Sequence, residues 1–176
     1  MEIAEFAEQL GIGTCLEFDS ELIVPEEKIR PFCQENRCGN YNNNYMCPPH
    51  IGSLDDIRTK LQNYQHGLLL QYVVSLDVGG NRQVVKQTKI DFHRKILKLE
   101  GHVREQGINP VWALIGGSCS LCDTCKARVG EPCPYPDQAR TSLEAIAVNV
   151  VELLDILGLD SKFHPDRITW TGSILF

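Results

Sequence analysis

The sequence predicts an α/β fold: a small, largely parallel sheet flanked by helices, with a cysteine-rich metal-binding lobe at one edge. Residues 68–76 and 111–115 are short, nearly continuous apolar runs, and a long helical pattern separates them. Seven of the eight cysteines fall into two groups, one within residues 31–50 and one within residues 117–136. A chain of 176 residues is long enough to bury a core, and we expect a single metal-binding domain over residues 1–176.

The order strand, helix, strand is the basis for predicting a parallel sheet. Residues 68–76 and 111–115 read as buried strands because they are apolar along nearly their whole length. Residues 84–106 between them carry apolar side chains on one helical face, namely Phe92, Ile96, Leu99 and Val103. Two such strands joined by a helix form a βαβ unit, in which the strands are parallel and the crossover is right-handed.

Capping patterns and an alternating pattern predict further elements. Ser53 with Asp56 resembles a capping box and begins a helix after the first cysteine group. Thr141 with Glu144 forms a second capping box, which predicts that the last helix begins there. Apolar residues alternate over residues 168–174 and predict a final strand.

Charge and hydropathy narrow the classes of partner. The net charge of −6 argues against a nucleic-acid partner, because phosphate groups bind to basic patches. No segment is long and apolar enough to span a bilayer, and the acidic start of the chain does not resemble a signal peptide. We therefore expect a cytoplasmic protein with no nucleic-acid or membrane partner. Thiols stay reduced in the cytoplasm, so the clustered cysteines favour a metal over disulfides.

The second cysteine group has the spacing of an iron–sulfur ligand loop. Two residues separate each of its first three cysteines, and a fourth follows shortly after: Cys119, Cys122, Cys125 and Cys133. Four thiolates are enough for one [4Fe–4S] cube, with one thiolate for each iron. A tetrahedral zinc ion can use the same four thiolates, although zinc sites usually pair their ligands in two separate knuckles. Three evenly spaced cysteines in one loop favour the cube over zinc.

The first cysteine group supplies only three thiolates, from Cys33, Cys38 and Cys47. A second cube held by these three would have one open iron. Cys15 and His50 are the candidates for a fourth protein ligand, but we expect Cys15 to be a small buried residue and His50 a surface residue. Cys47 and Cys133 each precede a proline, as the closing cysteine of bacterial ferredoxins does. A different wiring, in which Cys47 closes the second site, therefore also remains open.

These motifs resemble a domain-of-unknown-function family of predicted metal-binding proteins that is common in anaerobic bacteria and archaea. The resemblance extends over about residues 30–155 and rests on the motifs Cys33-x4-Cys38-x2-Tyr41, Met46-Cys47-Pro48-Pro49-His50, Gly117-x-Cys119-x2-Cys122-x2-Cys125 and Pro132-Cys133-x2-Pro136. The resemblance implies that the chain binds a metal, and an iron–sulfur cluster is the preferred form of that metal. It does not imply a particular reaction. The chain departs from the family pattern after Cys133, where Pro134 stands in place of a basic residue.

Three functional interpretations remain open at this point. The preferred one is a cytoplasmic metal-binding protein that carries one or two [4Fe–4S] clusters and exchanges electrons with a redox partner protein. The second is a zinc-stabilised interaction module without a redox role. The third is an iron–sulfur enzyme with an open iron at the first cysteine group. All three use the same thiolates, so the residue types do not choose between them, and they do not set the oligomeric state.

Overall fold

The chain is described over residues 2–176 by a computed structural model, in which helices cover both faces of one sheet. The α-helices of residues 2–176 are Ile3–Gln9 (α1), Arg30–Gln34 (α2), Leu54–Leu61 (α3), Arg82–Glu105 (α4) and Val150–Ile156 (α5). The strands are Thr14–Asp19 (β1), His66–Ser75 (β2), Trp112–Leu114 (β3) and Arg167–Leu175 (β4). Within residues 2–176 there is no helix whose length and hydropathy would let it cross a membrane.

The sheet has the strand order β1-β2-β4-β3, and every neighbouring pair is antiparallel. The prediction of a largely parallel sheet is therefore wrong. β2 and β3 run in the same direction, as expected for strands joined by the long helix α4, but they do not pair with each other. The carboxyl-terminal strand β4 lies between them and pairs antiparallel with both.

Burial on both faces of the sheet explains why the apolar runs suggested parallel strands. Leu68 and Leu70 of β2 pack in the core that α1 and α4 cover. Leu69 points to the opposite face and packs with α3, α5 and the buried segment 143–148. Because successive strand residues point to opposite faces, a strand covered on both sides is apolar at every position, whatever the direction of its neighbours. The apolar pattern therefore indicates that both faces of the strand are buried, but it does not determine whether the neighbouring strands are parallel or antiparallel.

Two of the local predictions are confirmed. Ser53 caps α3: its hydroxyl accepts a hydrogen bond from the Asp56 backbone N–H at 3.1 Å, and the Asp56 carboxylate accepts from the Ser53 N–H at 2.9 Å. The alternating pattern over residues 168–174 belongs to β4, as predicted.

The predicted start of the last helix at Thr141 is wrong. The segment from Thr141 onward forms turns, and α5 begins only at Val150, where the Asn149 side chain caps the helix. The Thr141 hydroxyl instead donates a hydrogen bond to the Met46 carbonyl oxygen at 2.9 Å. A capping residue is thus used for a tertiary contact, which ties the segment after the second cysteine group to the first group.

Candidate metal centre

The second cysteine loop begins where the chain leaves the sheet after β3. Gly116 lies against β4 so closely that a Cβ atom there would be 3.0 Å from the carbonyl oxygen of Thr171. The next residue, Gly117, has a φ of +69°, which side chains disfavour. Glycine at both positions therefore lets the chain turn away from β4, and the loop with the second cysteine group follows.

This loop arranges its four cysteines around one small cavity. Cys119, Cys122, Cys125 and Cys133 all contribute to the lining, together with Tyr45 from the first loop and Tyr135. Among residues 2–176, no group of three or more His, Cys, Asp or Glu side chains is arranged to hold a single metal ion. The structure thus brings the four predicted ligands together around a space, without converging them on one point.

The first cysteine group lies beside the second. Cys33 is in α2 and its sulfur lies 3.9 Å from the carbonyl oxygen of Glu144, while Cys38 is exposed. Cys47 is only 8 % exposed. Burial first, and then the nearby thiolates of Cys38, Cys33, Cys119 and Cys125, together raise the pKa of Cys47 to about 12. Cys47 therefore lies within electrostatic range of cysteines of both groups.

Burial is also the main cause of the raised pKa of three other thiols, Cys33, Cys119 and Cys122. Without a cation nearby, such thiols favour their protonated form. Lys89 of α4 is close enough to both cysteine groups to interact with them electrostatically. Burial lowers the pKa of its ammonium group, whereas the thiolates of Cys119, Cys47 and Cys38 act to raise it. Its ammonium group donates a hydrogen bond to the Ser118 hydroxyl at 3.2 Å. Lys89 thus brings a positive charge to the cysteine lobe.

Asn44 joins the two cysteine loops. Its side chain is 3 % exposed, and its amide nitrogen donates a hydrogen bond to the Cys119 carbonyl oxygen at 2.9 Å. Its amide oxygen accepts from the Met46 backbone N–H at 3.0 Å. Sequence patterns did not single out Asn44, because one asparagine in an asparagine-rich segment resembles an ordinary turn residue. Its burial and its partner 75 residues away become visible only in the folded chain.

Two further hydrogen bonds join the loops at their exposed sides. The Tyr45 hydroxyl donates to the Glu131 carbonyl oxygen at 2.7 Å, and the Arg128 guanidinium donates to the Gly39 carbonyl oxygen at 2.8 Å. Both bonds run from a side chain of one loop to the backbone of the other. The two loops therefore form one lobe, which we call the cysteine lobe (residues 31–50 and 117–136).

The carboxyl end of the second loop is anchored on α4. The Arg140 guanidinium contacts the Glu100 carboxylate at 2.9 Å, and Glu100 is 2 % exposed. The buried ring of His93 places Nε2 2.9 Å from the Gln138 carbonyl oxygen, to which it donates when Nε2 carries the proton. Burial lowers the pKa of His93, which favours the neutral ring. These contacts position the segment after Cys133 against the long helix.

The two candidates for a fourth ligand of the first group, Cys15 and His50, lie apart from the cavity of the second group. Cys15 lies in β1 opposite Leu70, at the sheet edge far from β3. Three strand spacings, about 14 Å, separate these two edge strands. His50 is exposed and packs edge-on against the Tyr45 ring, with centroids 5.2 Å apart. Neither residue lines the cavity of the second group.

The chain was compared with protein families, curated proteins and solved structures. A family model with the description "Predicted metal-binding protein (DUF2284)" matches residues 17–176. No curated protein and no solved structure matched the chain. The matched range contains both loops of the cysteine lobe and three of the four strands completely.

Replacing Asn44 with alanine should loosen the cysteine lobe. Asn44→Ala removes the buried bond between the loops and leaves the Cys119 carbonyl without that partner, which should lower the free energy of unfolding by about 1–3 kcal/mol. Asn43→Ala is the matched control, because the Asn43 side chain donates to the Gly39 carbonyl oxygen within the same loop. Its loss should stay below about 1 kcal/mol. Urea unfolding measures both changes, and equal losses would contradict a role for Asn44 in joining the loops.

Proposed function

Because the chain belongs to the DUF2284 family of predicted metal-binding proteins, we propose that its cysteine lobe holds one or two [4Fe–4S] clusters. We further propose that the protein transfers electrons in the cytoplasm to or from a redox partner protein. One observation carries this proposal, the arrangement of four cysteines from one loop around a single cavity: Cys119, Cys122, Cys125 and Cys133.

The donor set supports a cluster more than a single ion. A [4Fe–4S] cube takes one thiolate at each of its four irons, so its ligands surround an object instead of meeting at a point. A zinc ion usually takes its thiolates from two separate pairs of ligands, whereas three of these cysteines are evenly spaced in one loop. The raised pKa values of Cys119 and Cys122 favour protonated thiols in the absence of a cation, and deprotonation by metal ions would couple binding to proton release.

The surroundings of the thiols support a redox role. Lys89 brings a positive charge to both cysteine groups, and positive charge near a cluster stabilises its reduced, more negative form. Tyr45 and Tyr135 place aromatic rings in the lining of the cavity. Cys47 lies within electrostatic range of both groups. If each group holds a cluster, the two clusters are close neighbours, an arrangement suited to passing electrons between them.

The first group supports a second candidate, the iron–sulfur enzyme. Cys33, Cys38 and Cys47 supply three thiolates, Cys15 lies in the far edge strand, and His50 packs on the outer side of Tyr45. A cluster in this group would therefore have one coordination position without a cysteine, where a small ligand could bind.

Substitution of the closing cysteine tests the main proposal. In protein purified without oxygen, Cys133→Ser should lose about half of the iron if two clusters are present, and nearly all if there is one. Cys15→Ser is the matched control and should keep the full iron content, because Cys15 packs in the core under the sheet. Iron content and visible absorption measure the effect. Full iron in Cys133→Ser, or an equal loss in Cys15→Ser, would contradict the assignment.

The charge of Lys89 should set the reduction potential. Lys89→Met keeps most of the side-chain volume but removes the positive charge, which should lower the midpoint potential by some tens of millivolts, an order-of-magnitude value. Lys98→Met is the matched control, since Lys98 lies on the same helix with its side chain exposed. Potentiometric titration followed by electron paramagnetic resonance measures the potential. Equal shifts in the two variants would argue against a redox centre beside Lys89.

A small ligand tests the open position. Cyanide should change the spectrum of one cluster, and the same change should appear in His50→Ala with full iron content. A loss of iron in His50→Ala would identify His50 as a ligand and remove the basis for the enzyme. If cyanide leaves the spectra of both clusters unchanged, the basis for the enzyme is also removed.

A further inference from the structure

One side of β4 is largely unpaired. β2 pairs with β4 along the full length 167–175, whereas β3 pairs with it only at residues 173–175. Within residues 2–176, no strand pairs with residues 167–171 on that second side. The cause is the departure of the chain from the sheet at Gly116, which ends β3 after three residues. The amino-terminal half of β4 is therefore an open sheet edge.

The free backbone groups on this edge belong to odd-numbered residues. In an antiparallel pair, the N–H and C=O groups of alternate residues point to the same neighbour. The Asp166 carbonyl accepts from the Leu76 N–H on the β2 side. The backbone nitrogen and oxygen of Thr171 face the opposite side, 3.3 and 3.0 Å from where a Cβ atom on Gly116 would lie. Gly116 therefore covers these groups of Thr171. By the same alternation, Arg167 and Thr169 direct their N–H and C=O groups to the open side, where no residue of β3 lies opposite them.

This open edge lines a groove of about 580 Å³. The other walls of the groove are mainly apolar and come from Phe32 of α2, from Val151 and Leu154 of α5, and from Phe163 in the segment before β4. Phe32 is 64 % exposed and Phe163 is 96 % exposed. Large apolar side chains that remain exposed beside a concave surface indicate a binding site.

Some of the charged side chains at the groove have ion-pair partners, whereas Lys162 has none among the described residues. Asp160 is engaged by both His164 at 2.7 Å and Arg167 at 3.3 Å. Lys162 also lines the groove and is exposed, and its ammonium group has no ion-pair partner among residues 2–176. The groove therefore offers an uncompensated positive charge near the start of the open edge.

We propose that this groove binds an extended, largely apolar segment of a partner protein, which adds to β4 as a further strand and places an acidic side chain beside Lys162. The main chain of the segment would bond to Arg167 and Thr169, and its alternate side chains would pack against the apolar walls. The open edge spans four residues, 167–170, or about 13 Å, which suits a single extended chain. Native proteins usually protect such edges with proline, a bulge or a covering element, and residues 167–171 contain no proline.

This site does not depend on the metal proposal, because it follows from strand pairing and groove chemistry. It does lie next to the cysteine lobe, since Gly116 and Glu144 line the groove and Glu144 contacts Cys33. A partner held there would be positioned beside the cysteines.

A random peptide library displayed on phage and selected on the intact protein provides the probe. We expect enriched peptides with alternating apolar residues and an acidic residue at one end. A synthetic copy of an enriched peptide should bind Thr169→Val within about threefold of the native affinity, because valine keeps the backbone N–H. Thr169→Pro should bind it at least tenfold more weakly, because proline removes the outward N–H without removing a bond to β2.

The charge contact has its own test. Lys162→Glu should weaken binding of the synthetic peptide, and a peptide with lysine in place of the acidic residue should recover affinity for Lys162→Glu. Fluorescence anisotropy measures all affinities, and circular dichroism establishes that each variant is folded. If Thr169→Pro does not fold, hydrogen exchange in the native protein replaces it. The amides of Arg167 and Thr169 should then become protected when the peptide is added.

Several outcomes would overturn the proposal. They are no enrichment of peptides, equal binding by Thr169→Pro and Thr169→Val, or unchanged exchange at Arg167 and Thr169. A protein that is dimeric in solution and becomes monomeric in Thr169→Pro would show that a second copy covers the edge. Because these measurements do not use iron content or cluster spectra, their failure is distinguishable from failure of the metal proposal.

Discussion

The chain leaves the sheet at Gly116 and Gly117, and this turn positions both the second cysteine loop and the open edge of β4. Gly116 lies too close to the β4 backbone for a side chain, and Gly117 adopts a left-handed conformation. The turn ends β3 after three residues and directs the second cysteine loop away from the sheet. The same turn leaves the amino-terminal half of β4 unpaired. The candidate metal centre and the open sheet edge therefore have one origin.

The cysteine lobe and the sheet are stabilised in different ways. The sheet is buried on both faces by two apolar cores, one with α1 and α4 and one with α3 and α5. The cysteine lobe is joined mainly by hydrogen bonds from side chains to backbone, such as those of Asn44 and Tyr45. A hydrogen bond contributes only about 0.5–1.5 kcal/mol net, so a lobe of this kind gains greatly from a bound metal, whose binding energy is then folding energy.

The sequence predicted those parts that depend on local chemistry. The capping box at Ser53 and the alternation in β4 follow from neighbouring residues, and both were correct. The grouping of the second cysteines followed from their short spacing, and the structure places them around one cavity. The predictions that were wrong concern features that depend on distant segments of the chain. Thr141 carries a good capping pattern, yet its hydroxyl bonds to Met46, 95 residues away.

The position of β4 and the role of Asn44 were not predicted, because both depend on contacts between segments that are distant in the sequence. An apolar run reports that both faces of a strand are covered, but it does not say which strand lies beside it, and so the insertion of β4 between β2 and β3 was missed. Asn44 has no local pattern that distinguishes it from its asparagine neighbours, and its partner Cys119 lies in the other loop. Lys89 likewise has no local pattern that distinguishes it from the other basic residues of α4, although it interacts with cysteines of both groups. Long-range proximity is the information that the patterns lack.

Iron, zinc and acid-labile sulfide in the native protein, purified without oxygen, test directly whether the cysteine lobe holds iron–sulfur clusters as proposed. We expect brown protein with iron and sulfide in equal amounts, four of each for every cluster. Colourless protein with stoichiometric zinc and no labile sulfide would contradict it and would identify the lobe as a zinc-stabilised module.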